Sequence, residues 1–349
     1  MKIGVALTTI NIPYILEEQV RLAQMYSKNE IIFVVAGDKK TPTECRSYCE
    51  SLSRDTGYDI VYLDLKDQND EYPSLSKYIP LNSISRRNFA TLKAYQLDAD
   101  IIIMVDDDNF PLLDDDYFGK HSKVGSEQFL NVINSESNWF NVCEVLLESN
   151  QVPFYHRGFP INKRSSDSVG KDSVKKQRIR IASNEGLWID SPDTDAFTWM
   201  NAPELTVTNY HRYMYGSNFA LSRGTWSPMN SQNTSILREG LPSYFLNPFH
   251  KRYDDIWAGY IFQKVAKSLN YSIVFGEPLV EQRRNPHDYL VDLENEMDGI
   301  KNTPKLIDEL FNIELGSKNF VDGIQELIAS LSSYFGNVKS GYEMWLSQF

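Results

Sequence analysis

The sequence contains only three cysteines in 349 residues, Cys45, Cys49 and Cys143. An odd number with no CxxC spacing supports neither a disulfide scaffold nor a cysteine zinc site, and it suits a reducing compartment. Cys45 and Cys49 stand four apart, the spacing of packing neighbours on one helix. Positive charge is also scarce: 35 Lys and Arg against 47 Asp and Glu give a net charge of -12. That balance argues against a general nucleic-acid binder, whereas a small anionic ligand responds to local charge. No apolar run approaches the length that spans a bilayer, and the first stretch, 1–7, is interrupted too soon for a signal peptide. A cytoplasmic location is expected, with no nucleic-acid partner and no transmembrane segment. No GxGxxG follows Leu7, and no GxxxxGK[ST] occurs anywhere. Both glycine-rich phosphate cradles are missing, so phosphate must be held by another device.

What is present centres on Ile101-Ile102-Ile103-Met104-Val105, which runs directly into Asp106-Asp107-Asp108. A short, wholly apolar run reads as a buried strand of a parallel sheet. Such a strand cannot keep three carboxylates in its interior, so they belong where it ends. In open α/β sheets that end is the ligand crevice. Asp106 and Asp108, alternate in sequence, suit one hard divalent cation, Mn²⁺ or Mg²⁺, which a diphosphate would share. The alternative is a solvated acidic turn.

Around this strand the chain alternates. Strands are expected at 2–7, 31–35 and 60–65, and helices at 14–28 and 85–97. The first helix would turn Ile15, Leu16, Val20, Ala23 and Met25 inward. Thr41-Pro42-Thr43-Glu44 has the form of a capping box with proline at the first helical position. This alternation implies an α/β fold with a mostly parallel sheet and helices on both faces. Beyond Pro111 the regularity stops. The segment 163–180 gathers Lys163, Arg164, Lys171, Lys175, Lys176, Arg178 and Arg180, and is either a solvated loop or a basic lid over a diphosphate. A strand is expected near 215–221, with Gly216 allowing close backbone approach. Arg252-Tyr253-Asp254-Asp255 opens an amphipathic helix at 256–269, and 271–275 returns as a strand. From Thr303 the pattern is helical to the end, as an appendage or an oligomerisation element. The domains expected are 1–300, nucleotide-sugar and acceptor binding, and 301–349, a C-terminal helical extension.

Together, the strand-end acids and the Arg-Tyr-Asp-Asp helix resemble a GT-A glycosyltransferase. More narrowly the chain resembles the reversibly glycosylated polypeptides, the UDP-arabinopyranose mutases. The shared pieces follow one order over roughly residues 3 to 300: Thr9-Ile10, Gly37-Asp38, Arg87-x-Phe89, Asp106-Asp107-Asp108, Arg157-Gly158-Phe159-Pro160 with Arg164, and Gly186-Leu187-Trp188 with Pro192-Asp193 and Asp195-Ala196. Then come Gly216-x-Asn218-x-Ala220, Arg252-Tyr253-Asp254-Asp255-x-Trp257-Ala258-Gly259 and Gly276-x-Pro278. Asn109 replaces a family cysteine, and Glu281-Gln282 replaces a Trp-His pair, with His287 nearby but out of step.

The resemblance implies a GT-A fold and an enzyme whose small-molecule partner is a nucleotide sugar, a UDP-sugar. Asp106 and Asp108 would hold the metal. Thr8, Thr9, Gly37, Asp38, Arg87, Asp107 and Arg157 would bind the nucleotide sugar. Asp254 and Asp255 would face the sugar or acceptor, and Arg164 falls at the family's glycosylated arginine. Asp254 or Asp255 is the candidate general base, since a carboxylate hydrogen-bonded to the acceptor hydroxyl suffices. The alternative is that both acids merely serve the helix start. Three functions are weighed: a metal-dependent glycosyltransferase, a pyranose/furanose mutase, and a nucleotide-sugar binder without turnover.

Overall fold

The computed structural model describes residues 1–349 apart from 150–152, 165–171 and 285–286. The first half is strand alternating with helix. β1 (Lys2–Thr9), α1 (Ile15–Tyr26), β2 (Glu30–Gly37), α2 (Glu44–Thr56) and β3 (Asp59–Leu63) lead to short helices α3 (Leu65–Glu71) and α4 (Pro73–Tyr78). Helix α5 (Arg87–Gln96) then delivers β4 (Ile101–Val105). These four strands are parallel, in the order β3-β2-β1-β4. All five residues of β4 are buried, as are 3–9 of β1 and 31–37 of β2. Strands covered on both faces must be apolar on both, which is why they read as continuous runs. Helix α5 lies close on β1: a Cβ on Gly4 would sit 2.8 Å from Cβ of Ala94.

The second half supplies β5 (Asn109–Pro111), α6 (Tyr117–His121), β6 (Glu127–Ser135), β7 (Leu146–Glu148), β8 (Asp172–Asp190), α7 (Ala196–Asn201), β9 (Val207–Tyr210) and α8 (Arg212–Tyr215). It continues through β10 (Asn218–Leu221), β11 (Asn233–Leu237), α9 (Asp254–Ser268) and β12 (Tyr271–Gln282) to α10 (Tyr289–Asn312), α11 (Phe320–Ser330) and α12 (Gly336–Leu346). Beyond β4 the sheet runs β11-β8-β6-β10-β12-β5, and β12 also lies beside β8. Strand β11 is antiparallel to β4 and to β8, so the sheet is mixed: parallel over its first four strands and largely antiparallel beyond.

Several local expectations change. The basic segment expected as a solvated loop or a lid is strand from Asp172 onward, paired with β6 from Ser135↔Asp172 to Glu127↔Arg180. There Arg178 pairs with Glu127 and Arg180 lies over the Tyr271 ring. Within that segment, 165–171 lies outside the described residues. No capping box forms at α2, because the Thr41 hydroxyl is used elsewhere. It donates to the Thr9 carbonyl at 2.6 Å and accepts from the Asp38 amide at 2.7 Å, tying the ends of β1 and β2 together. Met25 is 53% exposed rather than inward. Nothing crowds Gly216; its need for glycine is a φ of 93° after α8, a value L side chains rarely adopt.

The boundary expected at residue 300 falls inside α10, which is continuous across it. Leu306, Leu310, Ile324, Leu327, Ile328 and Trp345 share one buried cluster with the sheet. Trp345 stacks on Phe245 at 5.2 Å, and Trp257 of α9 donates to Thr303 of α10 at 2.9 Å. The apolar positions of this C-terminal stretch thus pack into the chain's own core. No helix among the described residues is long and apolar enough to cross a membrane.

Candidate active site

A cleft of about 360 Å³ opens across the C-terminal ends of β1, β2 and β4. Thr8, Thr9, Asp38, Arg87, Asp106, Asp107, Asp108, Arg157, Asp254 and Asp255 all line it. Topology explains the gathering. Parallel strands end on one edge of the sheet, so residues that follow β1, β2 and β4 converge although they are far apart in sequence. Gly37 and Arg164 are not among the described lining residues. Gly37 abuts Tyr62, whose hydroxyl would lie 2.3 Å from an added Cβ. Arg164 pairs with Asp195 and donates to the Phe159 carbonyl at 3.1 Å, which gives it a structural role outside the cleft.

At the nucleoside end expected from the resemblance, Asp38 accepts from the amides of Asn82 and Ser83, both at 2.9 Å, and from Lys39 at 2.6 Å. Its carboxylate therefore fixes the 82–83 turn that forms part of the cleft wall. The Thr8 hydroxyl donates to the Ala36 carbonyl at 2.8 Å, inside the sheet. The Thr9 hydroxyl reaches Asp107 at 2.5 Å, so the end of β1 orients the middle acid of the triplet.

Asp106 is met by Arg87, a fully buried side chain that also donates to the carbonyl and hydroxyl of Ser231 at 2.7 and 2.6 Å. Burial pushes the Asp106 carboxyl up, and Arg87 offsets only part of that rise. Arg87 acts as an internal clamp on the acid rather than as a free ligand for the nucleotide. Asp108 accepts from the Asn109 side chain at 2.9 Å. No cluster of three or more His, Cys, Asp or Glu able to cage a metal occurs among the described residues. Two strand-end carboxylates nevertheless fit a hard cation of the Mg²⁺ type, which takes one or two protein carboxylates and completes its shell with phosphate oxygens and water.

The opposite wall is built differently. Arg157 donates to Asp193 at 2.8 and 3.0 Å and to Asp255 at 3.0 and 2.9 Å, two bidentate pairs on one guanidinium. Asn230 adds a 2.8 Å bond to Asp193. The arginine and the acids are buried. Burial opposes the charge on Asp193, but Arg157 outweighs it and holds that carboxyl below the usual range. Behind the clamp His156 meets Glu185 at 2.8 Å, and burial pushes the Glu185 carboxyl up to about 7.

Asp254 has no such partner. It accepts from the Ser85 hydroxyl at 2.7 Å and from its neighbour's amide at 2.9 Å. Burial, reinforced by Asp255, pushes its carboxyl up to about 7. Neither acid caps α9, whose N-cap is Tyr253 without a side-chain bond. The two candidate bases therefore divide: Asp255 belongs to the clamp, and Asp254 is poised to exchange a proton near neutrality.

Sequence reasoning assigned no role to Asp193, Ser231, Gln232, Arg252, Arg284 or His287, all of which line the cleft. Asp193 was legible only as part of a shared Pro-Asp piece. Ser231 and Gln232 sit in an unremarked loop whose Gln232 carbonyl accepts the Asp106 amide at 3.1 Å. His287, out of step in sequence, nevertheless lines the cleft.

The cleft and sheet define an α/β protein that places a strand-end acid cluster at the topological edge where small anionic ligands bind. The chain belongs to the reversibly glycosylated polypeptide family, whose model matches residues 50–345. UDP-arabinopyranose mutase 2 of Arabidopsis thaliana is 24% identical over 206 residues, covering 54% of this chain and 52% of that protein. Probable UDP-arabinopyranose mutase 4 of the same plant is 23% identical over 271 residues, covering 70% and 66%. The chain thus spans about half the length of the first of these relatives. Among solved structures it is similar to S. aureus TarS 1-349 in complex with UDP-GlcNAc, at TM-score 0.38 and 10% identity, over 100% of this chain and 90% of that one. It is also similar to the mannosyltransferase PcManGT from Pyrobaculum calidifontis in complex with GDP-Man and Mn²⁺, at TM-score 0.38 and 9% identity, over 99% and 83%.

Proposed function

We propose that this protein is a metal-dependent glycosyltransferase that uses a UDP-sugar as donor. The observation that carries the reading is the division of labour across the cleft: the strand-end acids on one wall, and on the other a single carboxyl, Asp254, poised near neutrality. Thr9 and Asp38 frame the nucleoside end, and Asp106 and Asp108 hold Mn²⁺ or Mg²⁺. The cation, when bound, neutralises charge on the departing diphosphate. Asp254 takes the proton of the acceptor hydroxyl, with Ser85 fixing the carboxylate's orientation. The Arg157 clamp keeps Asp255 occupied; Asp255 helps raise the Asp254 carboxyl, and Arg157 offsets only part of that rise.

The names of the relatives favour a second reading, a UDP-sugar mutase. It would use the same nucleotide and metal groups but retain the released sugar. Incubation with UDP-sugars and Mn²⁺ separates the readings. Free UDP with a glycosylated acceptor identifies the transferase, and an isomerised UDP-sugar the mutase. UDP-sugar binding without either product leaves a binding protein and sinks the catalytic proposal.

A further inference from the structure

The cations that line the cleft are not equivalent. Arg87 is committed to Asp106 and Ser231, and Arg157 to its two acids. Lys40 is exposed at the nucleoside end. Arg252 donates to Glu296 at 2.9 Å, and His287 meets Asp292 at 2.7 Å. Arg284 differs from all of them. Among the described residues it makes no hydrogen bond; its nearest carboxylate, Asp292, is 3.8 Å away. Its Nε is buried without a partner, and its side chain is only 12% exposed.

Aromatic faces hold this guanidinium in place. Its central carbon lies 4.6 Å from the centre of the Trp199 ring and 5.9 Å from that of Tyr289, two rings within 3° of parallel. Stacking fixes the plane of the fork and leaves its in-plane N–H groups for another acceptor. A largely buried guanidinium whose Nε has no partner is costly, and a bidentate oxyanion is the group that offsets the cost. Burial and the neighbouring Arg252 lower the proton affinity of Arg284, and the acids Asp193 and Asp292 offset only part of that.

Arg284 follows β12, and the Arg283 amide before it donates to the Asp108 carbonyl at 2.8 Å. The Arg284 guanidinium lies 3.8 Å from Asp292, the acid that also meets Arg252 at 3.4 Å and His287 at 2.7 Å, so the anion it would take sits where Arg252, Arg284 and His287 line the cleft together.

We propose that Arg284, with Arg252 beside it, recognises an anionic group, a carboxylate or a phosphate ester, borne by the donor sugar or by the acceptor. The inference rests on the reading of the cleft as a nucleotide-sugar site. Calorimetry on the full chain with Mn²⁺ tests both. One arm compares UDP, UDP-glucose and UDP-glucuronate. The other adds glucose, glucuronate or glucose 6-phosphate to UDP-saturated protein. Wild type is expected to bind the anionic member of one arm at least about tenfold more tightly than its neutral counterpart. Arg284→Gln removes that preference while UDP affinity stays within about twofold, and Arg284→Lys keeps part of it. A donor-arm preference places the anion on the sugar, and an acceptor-arm preference places it on the acceptor. Loss of UDP affinity in Arg284→Gln, or no preference in either arm, overturns the inference but leaves nucleotide binding intact in wild type. Failure of wild type to bind UDP overturns the underlying reading as well.

Discussion

On one side of the cleft Arg87 answers a single carboxylate, Asp106; on the other Arg157 answers two, Asp193 and Asp255. The first arrangement sits at a strand end, beside further acids that face the cleft. The second is closed on itself, with both acids spent on one guanidinium. Carboxylates engaged this fully are poor bases, because protonation would forfeit a buried ion pair. The difference teaches where to look for chemistry. Asp254 is adjacent to the clamp without being part of it, and so keeps both the burial and the freedom to titrate.

The largest expected effect comes from breaking that distinction at Asp254. Asp254→Asn lowers turnover by about a hundred- to ten-thousand-fold with UDP affinity nearly unchanged. In wild type the rate rises as pH climbs towards 7 and levels above it, because the base works only when deprotonated. Stability has the opposite slope. The folded carboxyl holds its proton to about 7 against an ordinary 3.8. Asp254 thus costs stability as pH rises from about 4 to 7, by an amount on the order of a few kcal/mol. Asp254→Asn should melt higher than wild type at pH 8. A normal rate in this variant, or a lower melting temperature at pH 8, would remove Asp254 from the mechanism.

Next in size is the clamp itself. Arg157→Leu strands two buried carboxylates and should lower unfolding free energy by about 3–5 kcal/mol, measured by urea titration. Asp255→Asn removes one of the two carboxylates on Arg157 and leaves the Asp193 pair, so it should destabilise by less than Arg157→Leu, whereas Asp254→Asn should not destabilise at pH 8. Equal stability of the two Asn variants would erase the comparison.

On the open side, Asp108→Ala should abolish metal-dependent strengthening of UDP-sugar binding while circular dichroism and melting stay near wild type. Its carboxylate is at a strand end, outside the core. Unchanged turnover of this variant in chelator would show that no metal acts there. Smallest is Gly37→Ala, which pushes the Tyr62 ring aside behind the wall. It should cost about 1–3 kcal/mol of stability and leave UDP affinity near wild type; a large loss of UDP affinity would return Gly37 to the binding surface.

Much was determined by the sequence alone. The parallel start of the sheet was legible because strands buried on both faces must be apolar on both. The acids of 106–108 had to lie at a strand end, since no strand interior tolerates them. Both inferences depend only on neighbours in the chain. Tertiary structure decided the rest. Whether Asp254 or Asp255 is available depends on Arg157, which is 98 residues from Asp255 and pairs with it. The basic segment became a ladder because β6 was there to pair with it. Arg284 acquired its place from Trp199 and Tyr289, separated from each other by 90 positions of sequence. A side chain's type is written in the sequence. Its charge state and its unspent hydrogen bonds are set by partners that only folding brings within a few ångströms.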